Sequence, residues 1–206
     1  MRINNCQILL VEISQTKPLA PYRSHIRTSD WTTKAIVRLE TENGLIGWGE
    51  HNQNFLPDID MTEQNRKASE FITGWDPYEV ERYHLENPFE PRLRCGVEMA
   101  MWDLIGKDNG QPLYKLLGGK VRDRVELAAC MGIQTYERAG EMARWYVEQG
   151  YTALKTKAGA DADEDFEMVR GVRDAVGSKL KLRIDPNRAY STEDAANLAI
   201  RLEPFE

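Results

Sequence analysis

Cysteine is scarce in these 206 residues: there are three, at Cys6, Cys95 and Cys130. They are odd in number, far apart and without a CxxC spacing, which sets aside a disulfide scaffold and a thiolate metal finger. The expectation is reduced, buried thiols in a cytoplasmic protein. Basic charge is also in short supply. Lys and Arg number 27 against 33 Asp and Glu, a formal net charge of −6 and a sequence pI near 5.3. No cationic surplus exists to displace counterions from a nucleic acid or to hold an anionic membrane. No apolar run approaches the roughly 20 residues of a membrane span. The opening stretch MRINNCQILLVEIS carries too short an apolar run for a secretory signal. GxGxxG is missing after the first strand of the second half, which weakens a dinucleotide-binding reading. What remains, at 41% hydrophobic and 29% charged residues, is the make-up of a globular protein.

The first half reads as strands and then helices. CQILLVEI is a strand, and TTKAIVRLETENGLIGWGE a hairpin with Ala35, Val37 and Leu39 on one face and Asn43-Gly44 at its turn. A polar loop from Thr16 to Trp31 precedes the hairpin, and a second, HNQNFLPDID, follows it. Helices are expected from about Thr62 to Gly74, from an Asp76-Pro77 start, and through CGVEMAMWDLIGKDNG, where Val97, Met101, Leu104 and Ile105 form a stripe. A short one follows in PLYKLLGG. Segregated strands and helices predict an α+β domain over residues 1–124.

The pattern changes after that point. VELAACMGI, TALKTKAG and KLKLRID read as buried strands, each followed by an amphipathic helix, the last opened by Ser191 and Asp194. The strand centres near Ala128, Lys155 and Arg183 recur at steps of 27 and 28 residues. Such alternation means parallel βα units over residues 125–206, in a barrel or a doubly wound sheet, and the barrel fits better. That stretch is about a third of the roughly 250 residues of a closed eight-stranded barrel, so the chain is expected to be part of a longer protein.

In parallel βα folds ligands bind at the carboxyl ends of the strands. Two strand ends here are unusual. Lys155 and Lys157 lie two apart, so the pleat puts both on one face and Thr156 on the other. Asp185 and Asn187 end the next strand in the run RIDPN. Alone, a Lys-x-Lys pair is a solvated edge strand, and a strand-end Asp is a cap or turn former. Together, at matching ends of consecutive strands, they suit a bound ion or an anionic substrate that offsets the repulsion between the ammonium groups. Ammonium proximity and partial burial are expected to lower a lysine pKa toward the range of a general base.

These residues carry a resemblance. KTK on one strand and DPN on the next, with GLIGWGE and the run GVEMAMWDLIGKDNGQPLYKLLGGKVRDRV, resemble the enolase superfamily in its mandelate racemase/muconate lactonizing enzyme branch. The resemblance spans essentially the whole chain. It implies a capping domain followed by the first units of a TIM-like barrel, and Mg²⁺-dependent removal of the proton α to a carboxylate through an enediolate. Lys157 would be the base. Lys155 would lower its pKa and neutralise the substrate carboxylate, and Asp185 would be the first of three carboxylate ligands to Mg²⁺, with Asn187 a polar contact. The other ligands and the opposite acid/base belong to strands beyond this chain, so the 206 residues alone are expected to be inactive. A homo-oligomer is expected of the full-length protein.

Within that family the loops select the substrate. The first offers Tyr22, Arg23, His25 and Arg27; the second offers His51, Asn52, Gln53 and Asn54. Polar and partly cationic, they suit a hydroxylated acid, such as an acid sugar, and hence a dehydratase. A racemase, epimerase or cycloisomerase is the alternative within the family. A noncatalytic βα protein that binds an anion or a partner through the lysine pair is the alternative outside it.

Overall fold

The structure, a computed structural model, describes residues 1–52 and 60–205. In chain order the elements are β1 (Ile3–Ser14), β2 (Tyr22–Arg23), β3 (Thr28–Ser29), β4 (Trp31–Thr41), β5 (Ile46–Asn52), α1 (Met61–Ile72), α2 (Val80–Glu86), α3 (Pro91–Asp108), α4 (Leu113–Leu116), β6 (Ala129–Met131), α5 (Tyr136–Glu148), β7 (Ala153–Lys157), α6 (Ala162–Val176), β8 (Lys181–Asp185) and α7 (Thr192–Leu202). They divide into two units: Met1–Ile13 with Thr32–Asp123, and Ser14–Trp31 with Arg124–Glu206. The polar loop between β1 and β4 thus groups with the later residues of the chain.

In the first unit β4 and β5 form the antiparallel hairpin, and β1 adds along β4. Alternation along β4 turns Ala35, Val37 and Leu39 inward, where all three are fully buried. At the turn the Thr41 hydroxyl bonds Asn43 Oδ1 at 2.5 Å, and the Gly44 amide donates to the Thr41 carbonyl at 2.9 Å. Helix α3 packs on β5. Glu90 caps it by accepting from the amides of Arg92 and Leu93, and Pro91 occupies its first turn. The stripe of Val97, Met101, Leu104 and Ile105 is buried against the sheet, worth about 1.5–3 kcal/mol for each large side chain. The expected helix start at Asp76-Pro77 is instead a turn. Asp76 Oδ1 accepts from the amide of Tyr78, and the helix, α2, begins at Val80.

The second unit holds a parallel sheet in the order β6-β7-β8. Strand β6 is only Ala129–Met131, shorter than its apolar run implied. Its pairing with β7 spans those three residues, and Val125 and Leu127 before it are exposed. Helices α5 and α6 cover one face of the sheet. There Leu154 packs among Met131, Met142, Met168 and Val172. The helix starts follow their capping residues: Thr135 opens α5, Asp161 opens α6 and Ser191 opens α7. All three cysteines are free, but only Cys6 is buried. Cys95 and Cys130 are exposed, against expectation; Cys130 lies on the face of β6 opposite the one that packs against α5 and α6.

His51 and Asn52 are the last two residues of β5, paired with Ala35 and Lys34, and not part of a loop. His51 shares the inward face with Ala35 and is buried; a Cβ at Gly96 of α3 would lie 3.1 Å from its Cδ2. Burial pushes its imidazole below the ordinary value of 6.5. The folded protein therefore binds that proton less readily than the unfolded chain does. Stability from this group is complete above about 6.5 and is lost as pH falls through that value toward the lower folded pKa. Urea midpoints measured from pH 8 to pH 5 should fall more steeply for the wild type than for His51→Gln; parallel curves would refute the assignment.

Candidate functional site

Strand β7 sorts its side chains by parity. Leu154 and Thr156 point to the helices, and Thr156 is fully buried, its hydroxyl bonding the carbonyls of Gly132 at 3.3 Å and Lys157 at 3.1 Å. Lys155 and Lys157 take the other face. The parallel register sets Lys155 opposite Cys130 on one side and Arg183 on the other, and sets Lys157 opposite Asp185. Residues paired in this way share a face. The face of the sheet opposite α5 and α6 therefore carries Lys155, Lys157, Lys181 and Arg183 together with Asp185, and Lys157 and Asp185 stand at the carboxyl ends of their strands.

That carboxylate is shared. Asp185 Oδ2 accepts from Lys155 Nζ and from Lys157 Nζ, each at 2.8 Å. Asp185 Oδ1 accepts from the amide of Asn187 at 3.2 Å, and Asn187 Oδ1 accepts from Lys157 Nζ. The side chain of Lys157 is 15% exposed and that of Lys155 31%. Hydrogen bonds from Lys155 and Lys157 hold the Asp185 carboxyl well below the usual carboxylate range. Lys155 is displaced upward, chiefly by its bond to Asp185. At Lys155 the neighbouring carboxylate outweighs burial.

The segment between β1 and β4 closes on this end of the sheet. β2 and β3 pair as a small antiparallel ladder, and Arg23 of β2 accepts at its carbonyl from the amide of Ile133 at 2.8 Å. The Tyr22 hydroxyl lies 3.4 Å from Cys130 Sγ. Burial first, then Cys130 and the charge of Asp185, push the Tyr22 phenol upward, so it is held as a neutral hydroxyl. The Arg23 guanidinium donates to Glu164 of α6 at 2.9 Å. His25 sits at the tip between β2 and β3. Arg27 accepts at its carbonyl from the Ser24 amide across the same tip. His51 and Asn52 belong to the first unit, and Gln53 and Asn54 lie outside the described residues. Cys130 and Arg183 were not singled out from the sequence. Their parity with Lys155 and Asp185 becomes a signal only once the register is known.

As a cation site, Asp185 offers a hard carboxylate oxygen at a strand end. Its Oδ1 faces no ammonium group, so it suits one position in an oxygen-ligand set. Among the described residues no group of three or more His, Cys, Asp and Glu could hold a metal ion. The chain fits Mg²⁺ as the source of one ligand. Among the same residues no helix is long and apolar enough to cross a membrane.

Residues 7–118 match the family described as mandelate racemase / muconate lactonizing enzyme, N-terminal domain, and residues 137–206 match enolase C-terminal domain-like proteins. The chain belongs to the mandelate racemase/muconate lactonizing enzyme family of the enolase superfamily. It comprises an N-terminal α+β capping domain and the first βα units of the family's barrel. The hydrophobic dipeptide epimerase of Enterococcus faecalis is 29% identical over 95% of this chain and 57% of its own length. The D-gluconate dehydratase of Thermoproteus tenax is also 29% identical, over 95% of this chain and 44% of its own. The chain thus spans about half the length of the curated relatives it matches. The crystal structure of the Enterococcus faecalis dipeptide epimerase complexed with Mg and the dipeptide L-Leu-L-Tyr superposes with a TM-score of 0.90 at 28% identity, over 100% of this chain and 59% of that one. A substrate-liganded L-Ala-D/L-Glu epimerase from Bacillus subtilis gives 0.86 at 27% identity, over 99% and 58%.

Gly132 shows how closely the β2 segment approaches. A Cβ there would stand 2.6 Å from the amide nitrogen of Arg23 and 2.8 Å from its carbonyl oxygen. Gly132→Ala should push β2 off the end of β6 at a cost of about 1–3 kcal/mol. The expected readout is a lower Tm and faster amide exchange at Ile133; exchange unchanged from the wild type would show that this approach is not a constraint.

Proposed function

We propose that the intact protein removes the proton α to the carboxylate of a small organic acid. Lys157 is the base, Lys155 the cation beside it that neutralises the substrate carboxylate, and Asp185 one oxygen ligand of Mg²⁺. The observation that carries this reading is the convergence of two ammonium groups and Asn187 on Asp185, at the carboxyl ends of adjacent parallel strands. Bound Mg²⁺ supplies positive charge to the oxygen on which negative charge grows as the Cα–H bond breaks. The surplus of cationic side chains on this face draws an anionic substrate toward the sheet. Tyr22 offers its hydroxyl at the rim as a hydrogen-bond donor to that substrate, and Asn187 fixes the direction of the Lys157 side chain.

For the step after proton removal, we favour loss of a β-hydroxyl from a hydroxy acid such as an acid sugar. The polar segment from Tyr22 to Arg27 and the similarity to D-gluconate dehydratase support it. Return of the proton to the opposite face, as in a racemase or epimerase, is the second reading, carried by the likeness to dipeptide epimerases in sequence and structure.

Full-length protein with Mg²⁺ and a panel of sugar acids and dipeptides in D₂O separates these outcomes. Dehydration yields a keto acid; deuterium incorporation with inversion and no keto acid would replace it by the second reading. Lys157→Ala should lower α-proton exchange by about 10²–10⁴-fold with circular dichroism unchanged. Asp185→Ala should weaken Mg²⁺ binding by more than about tenfold in calorimetry. Exchange at the normal rate in Lys157→Ala would remove both readings.

A further inference from the structure

Asp165 stands one turn into α6 and is fully buried, a rare place for a carboxylate. Its Oδ2 accepts from the amide of Gly159 at 2.6 Å and from the Tyr190 hydroxyl at 2.5 Å. Its Oδ1 has no hydrogen-bond partner among the described residues. Packing alone does not call for such a residue, since an apolar side chain fills a buried position without the desolvation cost of a carboxyl group. Its two partners indicate a different role. Gly159 is the second residue after Lys157, and Tyr190 is the third after Asn187. One carboxylate oxygen therefore joins the loop that leaves the lysine-bearing strand to the loop that leaves the Asp185 strand.

The two loops are in close contact. Gly159 has φ +98°, and a Cβ there would meet Ala189 Cβ at 2.5 Å and the Pro186 carbonyl oxygen at 3.0 Å. The second loop is strained as well. Asn187 and Arg188 are consecutive non-glycine residues with φ of 46° and 68°, each costing of order 1–3 kcal/mol. Such a conformation persists only where its surroundings over-determine it. On the near side the turn is held by Asp185 Oδ1 and by the Ala189 amide, which donates to the Pro186 carbonyl at 2.9 Å. On the far side the Tyr190 bond to Asp165 anchors it.

We propose that Asp165 is a positioning residue of the candidate site: through Gly159 and Tyr190 it holds the loops after β7 and β8 together, and so keeps Asp185 and Asn187 within reach of Lys157. This rests on the roles proposed for Lys157 and Asp185. Asp165 touches no reacting group; it acts through the backbone of one loop and the anchored tyrosine of the other.

The test uses full-length protein carrying Tyr190→Phe, Asp165→Ala or Asp165→Asn, with Asp185→Ala as reference. Calorimetry with Mg²⁺ alone and amide hydrogen exchange over residues 158–161 and 186–190 are the readouts. Tyr190→Phe and Asp165→Ala should each weaken Mg²⁺ binding by about tenfold and speed exchange in both loops. Asp165→Asn, which keeps an oxygen able to accept both bonds, should restore most of each. In the proton-exchange assay the first two variants should lower kcat per folded enzyme, with the folded fraction fixed by circular dichroism and unfolding midpoints; a decrease that vanishes on this correction would mean a general loss of stability and not a positioning role. Should Asp165→Ala fail to fold, Tyr190→Phe decides alone. Unchanged Mg²⁺ affinity and unchanged loop exchange in Tyr190→Phe, with Mg²⁺ binding lost in Asp185→Ala, would overturn the positioning role only. Unchanged affinity in Asp185→Ala would overturn that role and the proposed metal ligand together.

Discussion

Two ammonium groups on one face of a strand drive each other apart unless an anion stands between them, and in this chain Asp185 supplies it. One of its oxygens accepts from both Lys155 and Lys157, while the other is held by the amide of Asn187. The arrangement exists because β7 and β8 are parallel and paired Lys157 to Asp185. A slip of one residue would turn Asp185 to the helix side and leave the lysines with no counter-charge. The face is then cationic on balance, tolerant of an anionic ligand, and limited to side chains long enough to meet across the strand spacing.

The opposite face of the same strands meets a different demand. Leu154 and Thr156 are buried under α5 and α6, and Thr156 satisfies its hydroxyl against nearby carbonyls. Packing on that side fixes the pleat, and the pleat fixes where the lysines point. A rigid apolar layer on one side and a charged, half-open layer on the other follow from one alternation of residue types. Around this sheet the segment from Ser14 to Trp31 lays its backbone against the end of β6, where Gly132 has no side chain to obstruct it. Beyond β8 the strained turn at Asn187 and Arg188 is braced by buried groups. The parts of the site that depart from regular structure are thus tied to parts that do not.

Much was legible in the residues themselves. The hairpin with its Asn43-Gly44 turn, the stripe on α3, the parallel βα rhythm and the shared face of Lys155 and Lys157 all follow from local periodicity and capping, interactions that span only a few residues. The position of Asp185 at a strand end could be read in the same way. Chain-local rules do not extend to groups far apart in sequence. They assigned His51 to a loop, whereas cross-strand pairing with Ala35 carries it into the interior. They set two like charges side by side, whereas the carboxylate 30 residues from Lys155 bonds that lysine and moves its pKa upward.

The sequence by itself determined which residues alternate, the order of strands and helices, and which family the chain resembles, because each depends on neighbours along the backbone. Tertiary structure alone decided the register that brings Asp185 to both lysines, the docking of Arg23 against Ile133, and the burial of Asp165 between two loops. Those are contacts between distant segments, set by packing and by the satisfaction of buried polar groups, and no spacing within a short window encodes them.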